Sequence, residues 1–193
     1  EVISPAEVIV AVGDPAPAVR AIAEETRAQL VVLGSAGGRP CRRTVEALVA
    51  AADRPVLIAD RRRDSRQLVV ATDLRDSELP VIRSAATLAT ALASRVTVVH
   101  NVEVGTSLAP ESLPLVFQRL AILEDIAQRF PPVRGANVVT TSTTVDAILD
   151  VARRCDADMV VVGVRRRGGR TLLSLLERAG RTILALPLAD RDP

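Results

Sequence analysis

Val151-Ala152-Arg153-Arg154-Cys155-Asp156-Ala157-Asp158-Met159-Val160-Val161-Val162-Gly163 aligns without a gap on Ile22-Ala23-Glu24-Glu25-Thr26-Arg27-Ala28-Gln29-Leu30-Val31-Val32-Leu33-Gly34. Each copy reads as a helix end, a polar turn and an apolar strand closed by glycine. Self-similarity of this kind marks a repeated supersecondary unit. The match runs on in both directions. Upstream, Val8 to Val12 corresponds to Asn137 to Thr141, each predicted to be extended before a helix. Downstream, Pro55-Val56-Leu57-Ile58 resembles Thr182-Ile183-Leu184-Ala185.

The region between the copies supplies the rest of a domain. Leu68-Val69-Val70-Ala71-Thr72-Asp73 reads as a buried strand ending in a polar turn. Ser77 to Ala93 has helical spacing, with Val81, Ala85, Leu88 and Leu92 on one face and Pro80 near the start, where proline is tolerated. Arg95 to Val102 is a second strand, Gly105 to Pro114 a loop, and Leu115 to Phe130 a helix that Pro131-Pro132 ends. Leu115, Leu120, Leu123 and Ala127 fall roughly on one stripe of that helix.

Residues 66 to 188 therefore read β-α-β-α-β-α-β-α-β. Alternation of this kind implies right-handed crossovers and a mostly parallel sheet covered on both faces. The strands are continuous apolar runs, as a doubly covered sheet requires. The expected fold is α/β: a doubly wound, five-stranded, mostly parallel sheet in two tandem copies, the first incomplete. The expected domains are a partial one over 1–62 and a complete one over 66–188. The first contains strand, helix, strand, helix, strand. In an order such as 3-2-1-4-5 it lacks the two strands between its first and second. The pattern leads us to expect a natural chain that continues upstream by on the order of 60 residues.

Composition narrows the function. About half of the residues are apolar (48%) and a quarter charged (25%), which suits a globular protein rather than a disordered one. With no Trp, no Tyr and only Phe117 and Phe130, the core is aliphatic. A net charge of +2 argues against general nucleic-acid binding. The apolar runs are strand-length, so no membrane span is expected. Cys41, Cys155 and the single His100 make no zinc-binding spacing and imply free thiols in the cytoplasm. No P-loop lysine exists, because the chain has no lysine. After Asp73 stands Leu74-Arg75-Asp76-Ser77 rather than a dinucleotide glycine fingerprint. Ligands of doubly wound sheets bind at the carboxyl ends of strands near the switch point, which singles out Thr72-Asp73, His100-Asn101 and Gly163.

Several pieces, taken in order, resemble the universal stress protein family. They are Leu68 to Asp73, a first strand ending in Asp, and Val96-Thr97-Val98-Val99-His100-Asn101-Val102 as a second strand. Gly13-Asp14-Pro15 is a turn before a helix. Gly34-Ser35-Ala36-Gly37-Gly38 and Gly163-Val164-Arg165-Arg166-Arg167-Gly168-Gly169 are glycine-containing loops, and Arg54-Pro55-Val56-Leu57-Ile58 is a last strand. The resemblance covers nearly the whole chain. It implies an adenine nucleotide alpha hydrolase-like fold, a bacterial stress-response role and self-association, as a tandem pseudo-dimer or homodimer. It implies no conventional enzyme. Many members bind ATP through a G-x2-G-x9-G-(S/T) pattern, in which glycines let main-chain N–H groups approach phosphate.

Carried across, Asp73 would contact the ribose, Asn101 would sit at the base, and Gly163 would begin a phosphate loop continuing through Arg165, Arg166, Gly168 and Gly169. ATP or another adenine nucleotide is the implied ligand. Departures are plain: Arg166 replaces the second glycine, and the later G-(S/T) pair is absent. In the first copy Gly34 and Gly37 keep their spacing and Thr44 remains, but Arg43 takes the glycine position before it. Each residue also has a plainer reading. Asp73 suits a turn or cap, and His100 reads as structural rather than catalytic. Gly34 and Gly163 read as tight strand-to-loop turns. Arg165, Arg166, Arg167 and Arg170 read as a phosphate grip or as a solvated, dimer-facing loop. The sequence leaves open a nucleotide-binding stress protein or an interaction module of the same fold with a degenerate site.

Overall fold

In the computed structural model, residues 7–34, 42–51, 53–60, 66–103, 112–140, 143–165 and 170–189 are described. The element order is α1 (Pro15–Glu25), β1 (Val31–Leu33), α2 (Arg42–Ala50), β2 (Val56–Ile58), β3 (Gln67–Ala71), α3 (Pro80–Ala91), β4 (Arg95–Asn101), α4 (Leu113–Arg129), β5 (Val133–Val139), α5 (Thr144–Arg154), β6 (Met159–Val164), α6 (Arg170–Arg178) and β7 (Thr182–Pro187). Among the described residues no helix is long and apolar enough to cross a membrane.

The strands form one seven-stranded sheet in the order β1-β2-β7-β6-β3-β4-β5. From β3 to β7 the chain realises the doubly wound 3-2-1-4-5 arrangement with every pairing parallel. The one antiparallel seam joins β2 to β7, with Val56 opposite Ala185, Leu57 opposite Leu184 and Ile58 opposite Ile183. Two segments that resemble each other in sequence thus meet across a local pseudo-two-fold. On one face α2 and α6 flank this seam and share an ion pair between Arg42 and Glu177.

Successive strand residues point to opposite faces, and the core divides accordingly. Val69, Val160, Val162, Ile183 and Ala185 pack beneath α5, α6 and α2. Leu68, Val70, Val161, Leu184 and Leu186 pack beneath α3 and α4. Both faces of the central strands β3, β4, β6 and β7 are therefore covered, as their largely apolar runs suggest.

The repeat extends to individual hydrogen bonds. After α1, Ala28 N–H donates to Ala23 O at 2.9 Å; after α5, Ala157 N–H donates to Ala152 O at 2.9 Å. The residue between helix and turn is left-handed in both, Arg27 at φ 51° and Asp156 at φ 45°. Such closures usually place glycine there. The starts of the helices follow side-chain capping: Asp14 Oδ1 accepts from Ala16 N–H at 3.2 Å, and Thr143 Oγ1 accepts from Asp146 N–H at 3.1 Å.

Several local expectations are corrected. Val8–Val12 form no strand, and Val12 is fully exposed. Their counterpart in β5 pairs with β4; among the described residues no equivalent of β4 lies beside them, so the apolar run joins no ladder there. β1 pairs with β2 alone and is an edge of the sheet, with Val32 57% exposed. Helix α3 begins at Pro80 rather than Ser77, because the residue before a proline avoids the helical region; Leu79 is left-handed at φ 49°. Helix α4 begins two residues earlier than expected, and Leu115 points to solvent instead of joining Leu123 in the core. Leu92, expected on the buried face of α3, caps that helix and is half exposed.

Candidate functional site

At the carboxyl ends of β3, β4 and β6 a cleft of about 550 Å³ opens. Its position is the switch point, where β4 and β6 leave β3 on opposite sides. Asp73, Asn101, Gly163 and Arg165 all line it. The topology achieves this, since each lies at, or within two residues of, the carboxyl end of a strand of the same parallel set. Gly34 and Thr44 do not line this cleft; they belong to the β1–α2 region. Gly37, Arg166, Gly168 and Gly169 lie outside the described residues, as do Cys41 and Arg167.

The β3 turn is built from its own side chains. Thr72 Oγ1 accepts from Leu74 N–H at 3.1 Å, and Asp73 Oδ1 accepts from Arg75 N–H at 3.1 Å. Leu74 between them is left-handed at φ 54°, a conformation that costs a non-glycine residue roughly 1 kcal/mol. The turn role foreseen for Asp73 is therefore real, and its carboxylate also lies on the cleft wall.

His100, buried near the end of β4, anchors the same turn. Its Nδ1 lies 2.9 Å from Thr72 O. A carbonyl oxygen only accepts, so Nδ1 carries the proton in this bond. Burial pushes the imidazole pKa down and the nearby Arg119 charge adds to this; the Thr72 bond and Asp73 pull the other way. The ring is accordingly neutral near pH 7.

Gly163 differs from its expected role. It lies inside β6, one residue before the strand ends, with no left-handed φ. A Cβ there would meet Leu188 Cδ1 at 2.6 Å and Val81 Cγ2 at 2.8 Å. Its glycine is thus required by side chains packing over the strand rather than by a tight turn. At Gly34 a Cβ would meet nothing within 4 Å and φ is not left-handed, so neither turn geometry nor packing requires glycine there. Arg165 Nη1 donates to Ala189 O at 2.9 Å, tying the cleft rim to the residues after β7.

Sequence reasoning missed four polar residues on the cleft wall: Arg75, Glu103, Thr144 and Thr171. Thr144 Oγ1 donates to Glu103 Oε1 at 3.1 Å, bridging the first turn of α5 to the end of β4. The Thr143…Asp146 spacing, a capping pattern, is the signal that would have put the start of α5 at the cleft. The wall therefore carries carboxylates at Asp73 and Glu103 and guanidinium groups at Arg75 and Arg165. Such a mixture can accept hydroxyl or amine protons on one side and hold an anion on the other.

Fold and cleft together define a doubly wound α/β protein with its ligand position open at the switch point. The model of the universal stress protein family matches residues 1–60 and 65–177, and the chain belongs to that family. No curated protein sequence matches the chain. Among solved structures it is similar to a universal stress protein from Archaeoglobus fulgidus DSM 4304, at 16% identity and a TM-score of 0.64, over 90% of this chain and 66% of that one. It is also similar to a universal stress protein family member from Burkholderia pseudomallei, at 20% identity and a TM-score of 0.52, over 64% of this chain and 97% of that one. A further universal stress protein from Archaeoglobus fulgidus, solved in complex with dAMP, is 23% identical with a TM-score of 0.50, over 62% of this chain and 96% of that one. The chain thus spans just under two thirds of the first of these proteins. At these identities the likeness is one of fold.

Proposed function

We propose that the cleft at the ends of β3, β4 and β6 binds an adenine nucleotide, and that the protein serves a bacterial stress response in the cytoplasm by binding rather than by turnover. The observation that carries this reading is that Asp73, Asn101, Gly163 and Arg165 line one cleft at the switch point. Asp73 accepts hydrogen bonds from ribose hydroxyls, the strand end at Asn101 meets the base, and Arg165, with Arg75, faces the phosphate. The dAMP complex of a fold relative supports the ligand class. Self-association is part of the proposal, because the β2–β7 seam already has the geometry of a two-fold interface.

A second reading has its own support. Leu188 and Val81 fill the space over Gly163, and Arg165 is engaged by Ala189. Both favour a protein whose site has closed and which acts through partners. Mass spectrometry of nucleotides released from the denatured, freshly purified protein separates the two. AMP, ADP or ATP at near-stoichiometric yield supports nucleotide binding; none, with no heat on adding millimolar ATP to the purified protein, supports the interaction module.

A further inference from the structure

We infer that His100 is a positioning residue for the cleft, acting through Thr72 on the turn that presents Asp73; its effect on ligand affinity rests on the nucleotide-binding reading above. Both polar ends of the Thr72 peptide are held by β4. Thr72 N–H donates to Val99 O at 3.1 Å, and Thr72 O accepts from His100 Nδ1 at 2.9 Å. From that fixed peptide the turn unrolls: the Leu74 amide onto Thr72 Oγ1, left-handed Leu74, then the Arg75 amide onto Asp73 Oδ1.

A left-handed leucine persists only where its surroundings over-determine it. The two side-chain acceptors of this turn are local, and the exposed Asp73 bond is open to competition from water. Among the described residues the imidazole bond is the one tie that a side chain from outside the turn makes to it, and His100 itself is buried. Without it the Thr72 carbonyl loses its partner, and the turn can relax toward an ordinary right-handed path. Asp73 would then leave the wall it shares with Asn101. The charged groups near the ring are Arg119 and Asp73. The positioning does not depend on titration, since Nδ1 donates in either protonation state.

The test compares His100→Leu with His100→Asn, whose side-chain amide nitrogen is attached at the same Cγ position as Nδ1 and can donate in its place. Amide exchange by NMR at Leu74 and Arg75 is read against Val70 and Val98 in the sheet core. His100→Leu is expected to speed exchange at the two turn amides by about 10-fold relative to the core, and His100→Asn to restore it. AMP affinity by calorimetry is expected to fall about 10-fold in His100→Leu and to stay within about 3-fold in His100→Asn. On an Asp73→Asn background the leucine substitution should cost almost nothing further, because the histidine acts through that carboxylate. Unchanged turn amides, or equal losses of affinity in both backgrounds, would overturn the inference. If the parent protein binds no AMP at millimolar concentration, the nucleotide reading falls and amide exchange alone decides whether His100 positions the turn.

Discussion

The guanidinium of Arg181 donates to the main-chain oxygen of Ala157, fastening the start of β7 to the turn that closes α5. Arg54 does the same in the first copy: its Nη1 donates to Ala28 O at 3.1 Å and to Ala23 O at 2.5 Å. Ala28 and Ala157 are equivalent in the sequence repeat. One arginine in each copy therefore locks the same helix end to the same strand.

The two locks should differ in strength. Arg181 is almost wholly buried and is also 3.6 Å from Asp156, whereas Arg54 is more open and shares its guanidinium with Asp53. We expect Arg181→Ala to destabilise the protein by about 2–3 kcal/mol and Arg54→Ala by clearly less, since a charged donor to a buried carbonyl is worth more than an exposed one. Urea unfolding of both variants checks the order.

Gly163→Ala should cost about 1–2 kcal/mol, the usual penalty for overpacking. The contacting atoms are side-chain ends of Leu188 and Val81, so the neighbours can yield in part. Adding Leu188→Ala should recover some of the loss. Thermal melts of the single and double variants decide the point; additive losses would show that the glycine has another role.

The chain's single histidine gives a clean pH signature. Burial lowers the pKa of His100 below its ordinary value of 6.5, so the unfolded chain takes up a proton at a higher pH than the folded one. Stability from this group is full above about 6.5 and declines as pH falls from there toward the folded value. The slope cannot exceed one proton, about 1.4 kcal/mol per pH unit. Urea midpoints between pH 7.5 and 5.5 should fall in the parent protein, and His100→Asn should flatten that part of the profile.

Much of this was legible in the residues. The unbroken runs at Leu68–Ala71 and Met159–Val162 could only be doubly covered parallel strands, and strand ends at a switch point bring Asp73, Asn101 and Gly163 into one cleft. What was not legible depended on neighbours. Val8–Val12 carries a strand's composition but, among the described residues, has no strand to pair with. Gly163 looked like a turn glycine because its crowding comes from Leu188, 25 residues on in the chain. Nothing in the sequence marks Arg54 and Arg181 as locks, because their carbonyl partners are set by tertiary packing. Arg75 and Thr144 reach the cleft through the Asp73 turn and the first turn of α5, neither of which an apolar pattern locates.

On the reading proposed above, Asp73 belongs to an adenine-nucleotide site. Calorimetric titration of the nucleotide-free protein with AMP and with ATP, beside Asp73→Ala, tests it most directly. The account predicts saturable binding that weakens by about 10-fold or more when the carboxylate is removed, as expected for a charged acceptor lost from ribose hydroxyls. Equal affinity in both proteins, or no heat from either at millimolar nucleotide, would contradict it.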